Sequence, residues 1–254
     1  TAQQYTVIPF TRGITGPADV TETIYQYGNH KTTSGSQIAL SVVVASGLHY
    51  IGCMPEQMKA SEVYDLYKNF PAVWDDSKLV DAELGKRVVM ARRSGDTWYV
   101  GGITTDAESN NVSLSFLSDG NYLAQIYKEG EDVSTSFATE SKIVTKNDVI
   151  TVNSAANGGF VIKLIKLSTA TVPAKFAFDV KTAEMKTGDV ITEKAVPSDK
   201  NAAVIRPQYV SSNTAVATVS DNGKITAVGA GTAEIKALSY KDGSVYDTIN
   251  VTVK

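Results

Sequence analysis

The chain has few of the residues that build metal centres and covalent cross-links. Its 254 residues include one cysteine, Cys53, and two histidines, His30 and His49. A single thiol excludes an intrachain disulfide, and two separated histidines give no ligand spacing of a structural zinc site. Both histidines therefore read as structural. Cys53 has no His or Lys close by in sequence to favour its thiolate, so nucleophilic use is not expected. Positive charge is not in excess either, because 24 Lys and Arg stand against 27 Asp and Glu, a net charge of −3. Without a basic face to neutralise phosphates, no nucleic-acid partner is expected. Long apolar runs are also missing. The longest, from Ile38 to Ala45, is interrupted by Ser41 and is far short of the ~20 residues that span a bilayer. The first residues, Thr1-Ala-Gln-Gln-Tyr5, carry neither the basic nor the apolar region of a signal peptide.

What is present is ordinary globular material. Apolar residues make up 43% and charged residues 20%, which predicts a packed core, and the length suits two or three domains. From Thr1 to about Phe70 the pattern is mixed α and β. Tyr5-Thr-Val-Ile8 reads as a strand ended by Pro9. Ser34-Gly-Ser-Gln37 has the form of a capping box, predicting a helix from about Gly35 to Ser46 that stops at Gly47. Leu48-His-Tyr-Ile51 reads as a strand. Ser61 to Phe70 reads as a helix, with Val63, Leu66, Tyr67 and Phe70 on one face. Strand–helix alternation is the unit of a parallel α/β structure, although two units cannot close an eight-stranded barrel.

Between about Val73 and Thr171 the apolar period changes to two. Short strands are expected at Val88–Arg92, Trp98–Ile103, Val112–Phe116, Tyr122–Tyr127, Val149–Val152 and Gly159–Leu164. Ser94-Gly95-Asp96, Ser118-Asp119-Gly120, Glu129-Gly130-Glu131 and Asn157-Gly158 separate them as turns. This spacing predicts an antiparallel sandwich. Ser168-Thr-Ala-Thr-Val-Pro-Ala174 then reads as a linker. Beyond it, Asn222-Gly223 suits a hairpin turn and Gly229-Ala-Gly231 a second tight turn. Ala215, Ala217 and Val219 alternate toward one face, predicting a small second sandwich.

Two stretches carry family resemblances. Phe70-Pro-Ala-Val-Trp-Asp-Asp76 and Gly85-Lys-Arg-Val-Val-Met-Ala-Arg-Arg-Ser-Gly-Asp-Thr-Trp-Tyr-Val-Gly-Gly-Ile-Thr104 resemble the join between catalytic barrel and C-terminal β-domain in glycoside hydrolase family 97. That family comprises α-glucosidases and α-galactosidases. Upstream, Ile8-Pro-Phe-Thr-Arg12 and Gly16-Pro-Ala-Asp-Val-Thr21 are similar to its Pro-Phe-Thr-Arg and Gly-Pro-Met-Asp-Tyr-Thr-Pro elements. Ala18, Val20 and Glu22 stand in place of the family's Met, Tyr and Pro, and Cys53 where an Asp is usual. Separately, Ser211–Ser220, Asp221–Ile235 and Ile249–Val253 resemble a bacterial immunoglobulin-like domain of group 2.

The resemblance implies a multidomain α/β plus all-β chain. Residues 1–71 would be the C-terminal portion of a (β/α)8 catalytic barrel, 72–167 the glycosidase's β-sandwich and 175–254 the immunoglobulin-like domain. It further implies hydrolysis of terminal α-glucosyl or α-galactosyl residues by the intact enzyme, with an α-linked oligosaccharide as partner and calcium as its metal. A periplasmic, cell-surface or secreted bacterial location goes with it. Hydrolysis needs a carboxylic acid and a second carboxylate roughly 5 to 9.5 Å apart. In the family these, and the glutamates on calcium, precede the Pro-Phe-Thr-Arg element. Only eight residues precede Pro9 here and none is acidic, so neither catalytic nor calcium-binding residues carry over. The alternative is a non-enzymatic carbohydrate-binding or adhesive surface protein.

Individual residues divide between sugar contact and scaffold. Asp19 is a candidate to reach a sugar from a strand end, against a turn-capping role. Arg12 is a candidate carboxylate partner in the cleft, against a structural salt bridge. Asp75 and Asp76 are adjacent, so their side chains point apart and do not form a catalytic pair. Trp74 and Trp98 read as core rather than sugar platforms. Arg92 and Arg93 face opposite sides of a strand, one semi-buried and paired and the other solvated.

Overall fold

The structure is a computed structural model that describes residues 1–22, 31–168, 175–197, 205–240 and 242–254. His30 and most of the expected linker, residues 169–174, lie outside the described residues. The chain forms two compact units, Thr1–Ile165 and Lys166–Lys254.

The first unit opens with helix α1 (Ala2–Val7), where a strand over Tyr5–Ile8 is expected. The local Tyr-Thr-Val-Ile run favours a strand. Thr1, however, caps the helix with a capping box through Gln4, and Ala2 and Thr6 bury at helical spacing. Strand β1 (Val20–Glu22) pairs in parallel with β2 (His49–Ile51). Between them in sequence runs α2 (Ser34–Val43), every residue of which is buried. Its cap is Thr33, whose side chain accepts from the Ser36 amide, and not Ser34. The Gln37 side-chain amide turns to the Thr32 hydroxyl at 2.6 Å. The helix ends as Val44 takes extended φ and ψ, three residues before Gly47, so packing overrides the glycine stop. Downstream, α3 (Pro55–Ala60) forms where no helix is expected, and the helix expected over Ser61–Phe70 shrinks to the single turn α4 (Tyr64–Tyr67). Extended backbone at Ser61 separates the two, although Val63 and Leu66 are fully buried on the expected face.

The sandwich supplies β3 (Asp76–Glu83), β4 (Arg87–Ser94), β5 (Thr97–Thr104), β6 (Glu108–Ser113), β7 (Tyr122–Glu129), β8 (Phe137–Val144), β9 (Val149–Ser154) and β10 (Gly159–Lys166). Six strands form one sheet in the order β3-β4-β5-β10-β7-β8, and β6 pairs with β9 separately. Sequence reading misses β3 and β8, the two edges of the sheet. An edge strand buries little and mixes charge into its pattern, as Asp-Ser-Lys-Leu-Val-Asp in β3 does, so period-two patterning is weak there. Strict alternation sorts the centre. Trp98 and Val100 of β5 join Val112, Leu114, Ile150 and Val152 in a core beneath the β6–β9 ribbon. Tyr99 and Ile103 join α2, α1 and α4 in a second core on the other side of the sheet.

A ten-residue helix is too short to persist alone, so the second core decides where α2 lies. Its approach to the sheet is close enough to require glycine. A Cβ on Gly101 would stand 2.7 Å from Val42 Cβ, and one on Gly159 would stand 2.6 Å from the Gly102 carbonyl and 2.8 Å from Ser36 Cα.

The second unit is all β. Its strands are β11 (Phe176–Ala177), β12 (Thr182–Met185), β13 (Val190–Thr192), β14 (Val196–Pro197), β15 (Gln208–Ser211), β16 (Ala217–Val219), β17 (Lys224–Ala227), β18 (Gly231–Leu238) and β19 (Val245–Val253). A four-stranded sheet, β12-β19-β18-β15, and a three-stranded sheet, β13-β17-β16, enclose one core that includes Ile225, Ile235, Ile249 and Val251. The β16–β17 hairpin turns through Asn222-Gly223, with Gly223 at φ 79°. Ala215 is exposed and Val216 buried, against the expected alternation. Val216 and Ala217 both donate backbone N–H to the Asn213 carbonyl, so the segment enters β16 as a turn.

The tight helix–sheet approach gives a test by urea denaturation. Gly159→Ala is expected to cost roughly 1–3 kcal/mol, because backbone rather than a flexible side chain must give way. Gly47→Ala, with nothing within 4 Å of the added methyl, should stay within about 0.5 kcal/mol of wild type.

Candidate functional site

The side of the six-stranded sheet that faces α2 buries three ionic side chains. Arg92 of β4 is 8% exposed, Glu129 of β7 is 7% exposed and Lys163 of β10 is 4% exposed. Each is tied to backbone. Arg92 Nε donates to the Val42 carbonyl at 2.6 Å and Nη2 to the Val43 carbonyl at 3.3 Å, while Nη1 donates to Ser77 Oγ at 2.7 Å. The last turn of a helix leaves carbonyls without intrahelical partners and carries partial negative charge, so a guanidinium suits it. Burial lowers the Arg92 pKa from its ordinary value, which is the desolvation cost of that placement.

Glu129 sits at the other end of the helix. Its Oε1 accepts from the Ala155 amide at 2.6 Å and its Oε2 from the Thr33 hydroxyl at 3.4 Å. A carboxylate beside the first turn complements the positive end of the helix dipole. Lys163 donates to the Asp65 carbonyl of α4 and lies 5.8 Å from the Tyr99 ring centre. Burial, and behind it the charge of Tyr127, pushes the Tyr99 pKa up to about 12. These charges position helices, and none faces an open cleft.

Arg93, next to Arg92, turns to the opposite side. It lies over the Trp98 ring and pairs with Asp75 at 3.5 Å, at a partly exposed rim. The two arginines divide between the faces as expected, but the buried Arg92 is bonded to carbonyls and a hydroxyl, and the ion pair belongs to the more exposed Arg93. Trp98 is 6% exposed in the sandwich core and Trp74 packs against the helical core. Asp76 pairs with Lys78, so neither Asp75 nor Asp76 faces a second carboxylate. The Cys53 thiol is pushed up by burial, away from thiolate chemistry.

Arg12 and Asp19 are both exposed and do not pair with each other. Arg12 Nη1 donates to Thr15 Oγ1 and to the Gly16 carbonyl, each at 3.1 Å, and Nη2 donates to the Pro17 carbonyl at 3.2 Å. The guanidinium thus fixes the turn that leads to Asp19 and β1. On β1 and β2 the side chains alternate. Val20 and Ile51 pack on the helical core. Thr21 and Tyr50, partners in register, face the other way and are exposed, Tyr50 by 58%.

Glu22 is the acidic residue closest to this face in sequence, but it is fully buried and bonded to His49. Sequence reading noted Glu22 only as a departure from the family pattern and did not see the pair. An open hollow of 540 Å³ lies beside the start of α2, lined by Thr32, Thr33, Val133, Ser134 and Asn157 among others. Asp132, next to Val133 in the chain, accepts from Ser134 and Thr135, which hold its carboxyl down to about 2. No group of three or more His, Cys, Asp or Glu residues suited to a metal ion occurs among the described residues.

Comparison with known proteins separates the two units. Residues 73–165 match the model of the glycosyl-hydrolase 97 C-terminal (oligomerisation) domain, and residues 190–249 match the bacterial Ig-like domain of group 2. The chain matches the C-terminal part of a glycoside hydrolase family 97 enzyme followed by a bacterial immunoglobulin-like domain. A retaining alpha-galactosidase from Bacteroides thetaiotaomicron is 34% identical over 175 residues, covering 62% of this chain and 26% of that protein. A probable retaining alpha-galactosidase from Streptomyces bingchenggensis is 30% identical over 164 residues, covering 63% and 25%. Among solved structures, a family 97 enzyme from Pseudoalteromonas sp. strain K8 in complex with acarbose matches with a TM-score of 0.60 and 28% identity, covering 66% of this chain and 29% of that one. The chain thus spans about a quarter of the length of the curated relatives it matches. No helix among the described residues is long and apolar enough to cross a membrane.

Substitution distinguishes the two arginines. Arg92→Ala leaves two helix carbonyls and the Ser77 hydroxyl without their donor and should cost about 1–3 kcal/mol or more by urea denaturation. Arg93→Ala, at a partly exposed pair, should cost less than about 1 kcal/mol.

Proposed function

We propose that this chain is the C-terminal scaffold of an exo-acting α-glycosidase. In this reading residues 1–71 contribute the last two strand–helix units of a (β/α)8 barrel, 72–167 the bracing sandwich and 175–254 a spacer or surface-attachment module. The observation that carries it is the parallel β1–β2 pair. One of its faces is packed on α2 and the other is bare, with Thr21 and Tyr50 open to solvent. Parallel sheets are covered on both faces, so such a pair suits a site where more strands belong. The match of residues 73–165 to the family's C-terminal domain supports the same placement.

The intact enzyme would remove terminal α-galactosyl or α-glucosyl residues. The galactosidase names of the two relatives favour the first, and the acarbose complex of the Pseudoalteromonas enzyme favours an α-linked oligosaccharide as the class of partner. Asp19, presented by the turn that Arg12 fixes, is the residue of this chain proposed to reach the sugar. The acid, the nucleophile and the carboxylates for calcium would come from polypeptide outside these 254 residues. The immunoglobulin-like module favours a periplasmic, secreted or cell-surface location.

The purified chain is therefore expected to leave p-nitrophenyl α-glucoside and α-galactoside unhydrolysed, since in this reading the acid and the nucleophile belong to other polypeptide. Turnover above blank would overturn this assignment of the chemistry.

A further inference from the structure

The six-stranded sheet ends in two unlike edges, β3 and β8, and the functional reading above uses neither. An edge strand presents a row of unpaired N–H and C=O groups that can template pairing with another chain. Edge β3 is guarded against this. Its pairing with β4 shifts register between Leu79 and Asp81, which breaks the straight run of backbone groups, and four of its eight residues, Asp76, Lys78, Asp81 and Glu83, are charged. Edge β8 pairs with β7 in unbroken register over all eight residues.

The ladder itself decides which backbone groups of β8 face outward. The Gly130 amide donates to the Ser136 carbonyl at 2.9 Å, and these two residues continue the β7–β8 register. Antiparallel pairs alternate between bonded and non-bonded, so Ala138, Glu140, Lys142 and Val144 turn their backbone groups to β7. Thr139, Ser141 and Ile143 turn theirs away from the sheet, and among the described residues none of the three makes a backbone bond outside it. Glu140 and Lys142, two apart on one face, pair at 3.7 Å with side chains 60% and 38% exposed.

We propose that β8 is a self-pairing edge, through which two copies of this chain join their sheets about a two-fold axis at Ser141. Antiparallel pairing centred there sets Ser141 against its own copy and Thr139 against Ile143 of the second copy, so the outward backbone groups bond one another. Glu140 then stands opposite Lys142 of the second copy in the closer, non-bonded position, and symmetry makes that contact twice. Charge excludes the adjacent registers. Centring on Glu140 sets two carboxylates face to face, and centring on Lys142 two ammonium groups. Centring on Thr139 or Ile143 shortens the overlap and gives Glu140 no Lys142 to face. The two charges that discourage indiscriminate edge pairing thus permit one register. The inference rests on this edge and not on the glycosidase reading, and it adds strand, register and symmetry to the oligomerisation role in the matched domain's description.

Sedimentation velocity of the full chain over a concentration series tests it. An edge-to-edge contact of this size belongs to the weak class of interface, so the wild type should pass from monomer to dimer as its concentration rises to about 0.5 mM. Lys142→Glu and Glu140→Lys each set like charges opposite and should weaken dimerisation about tenfold or more. An equimolar mixture of the two variants should recover association, because a strand with two carboxylates then faces a strand with two ammonium groups. Ser141→Pro removes an outward N–H but no bond to β7, and should abolish the dimer while leaving the circular dichroism spectrum unchanged. A wild type that stays monomeric over the whole series overturns the proposal. Association that both charge variants retain at wild-type strength also overturns it, by assigning the contact to another surface such as the bare face of β1 and β2. Failure of the mixture to recover association overturns the pairing register.

Discussion

The structure of the first unit depends on how close α2 comes to the six-stranded sheet. Gly101 and Gly159 remove the side chains that would hold the helix away. Dispersion and burial then favour contact, with Ile38, Val42 and Val43 each fully enclosed and each contributing roughly 1.5–3 kcal/mol of apolar transfer. Closeness also has an electrostatic cost, because both ends of a buried helix leave backbone groups out of reach of water. Arg92 at the carboxyl end and Glu129 at the amino end, both borne by sheet strands, meet that need. The helix is thereby held by the sheet at both ends as well as along its length.

How far this was legible in the sequence follows from the range of each interaction. The central strands β4, β5, β7 and β10 announce themselves through alternation and through turns such as Ser94-Gly95-Asp96, which are local signals. The arginine pair was readable for the same reason, since neighbours on a strand must point apart. The edges β3 and β8 were not, because a half-exposed strand needs no strict pattern. Helix α1 reads as a strand because Tyr-Thr-Val-Ile is a good local strand former, and the Thr1–Gln4 capping box together with the core it meets selects the helix. The ends of α2 are set by Thr33 and by the sheet, so the expected Ser34 cap and Gly47 stop were each displaced. The Glu22–His49 pair joins residues 27 apart, and no spacing rule connects them.

These findings also order the functional residues. The buried charges of the sheet, Arg92, Glu129 and Lys163, hold helices to it. Arg12 is spent on its own turn. The bare face of β1 and β2 is therefore where this chain offers room for other polypeptide and, through Asp19, a carboxylate open to solvent. The second unit has a core of its own, so its contribution to the proposed enzyme need not pass through the first.

The central claim is that α2 belongs to the sheet as one cooperative body. Native-state hydrogen exchange measures this directly, by comparing the opening free energy of amides from Ile38 to Val43 with that of Val100 and Ile162 in the central strands. The account predicts that helix and strands share one opening free energy and lose it together as denaturant rises. A helix that exchanges through a much lower opening, while the strands stay protected, would contradict it.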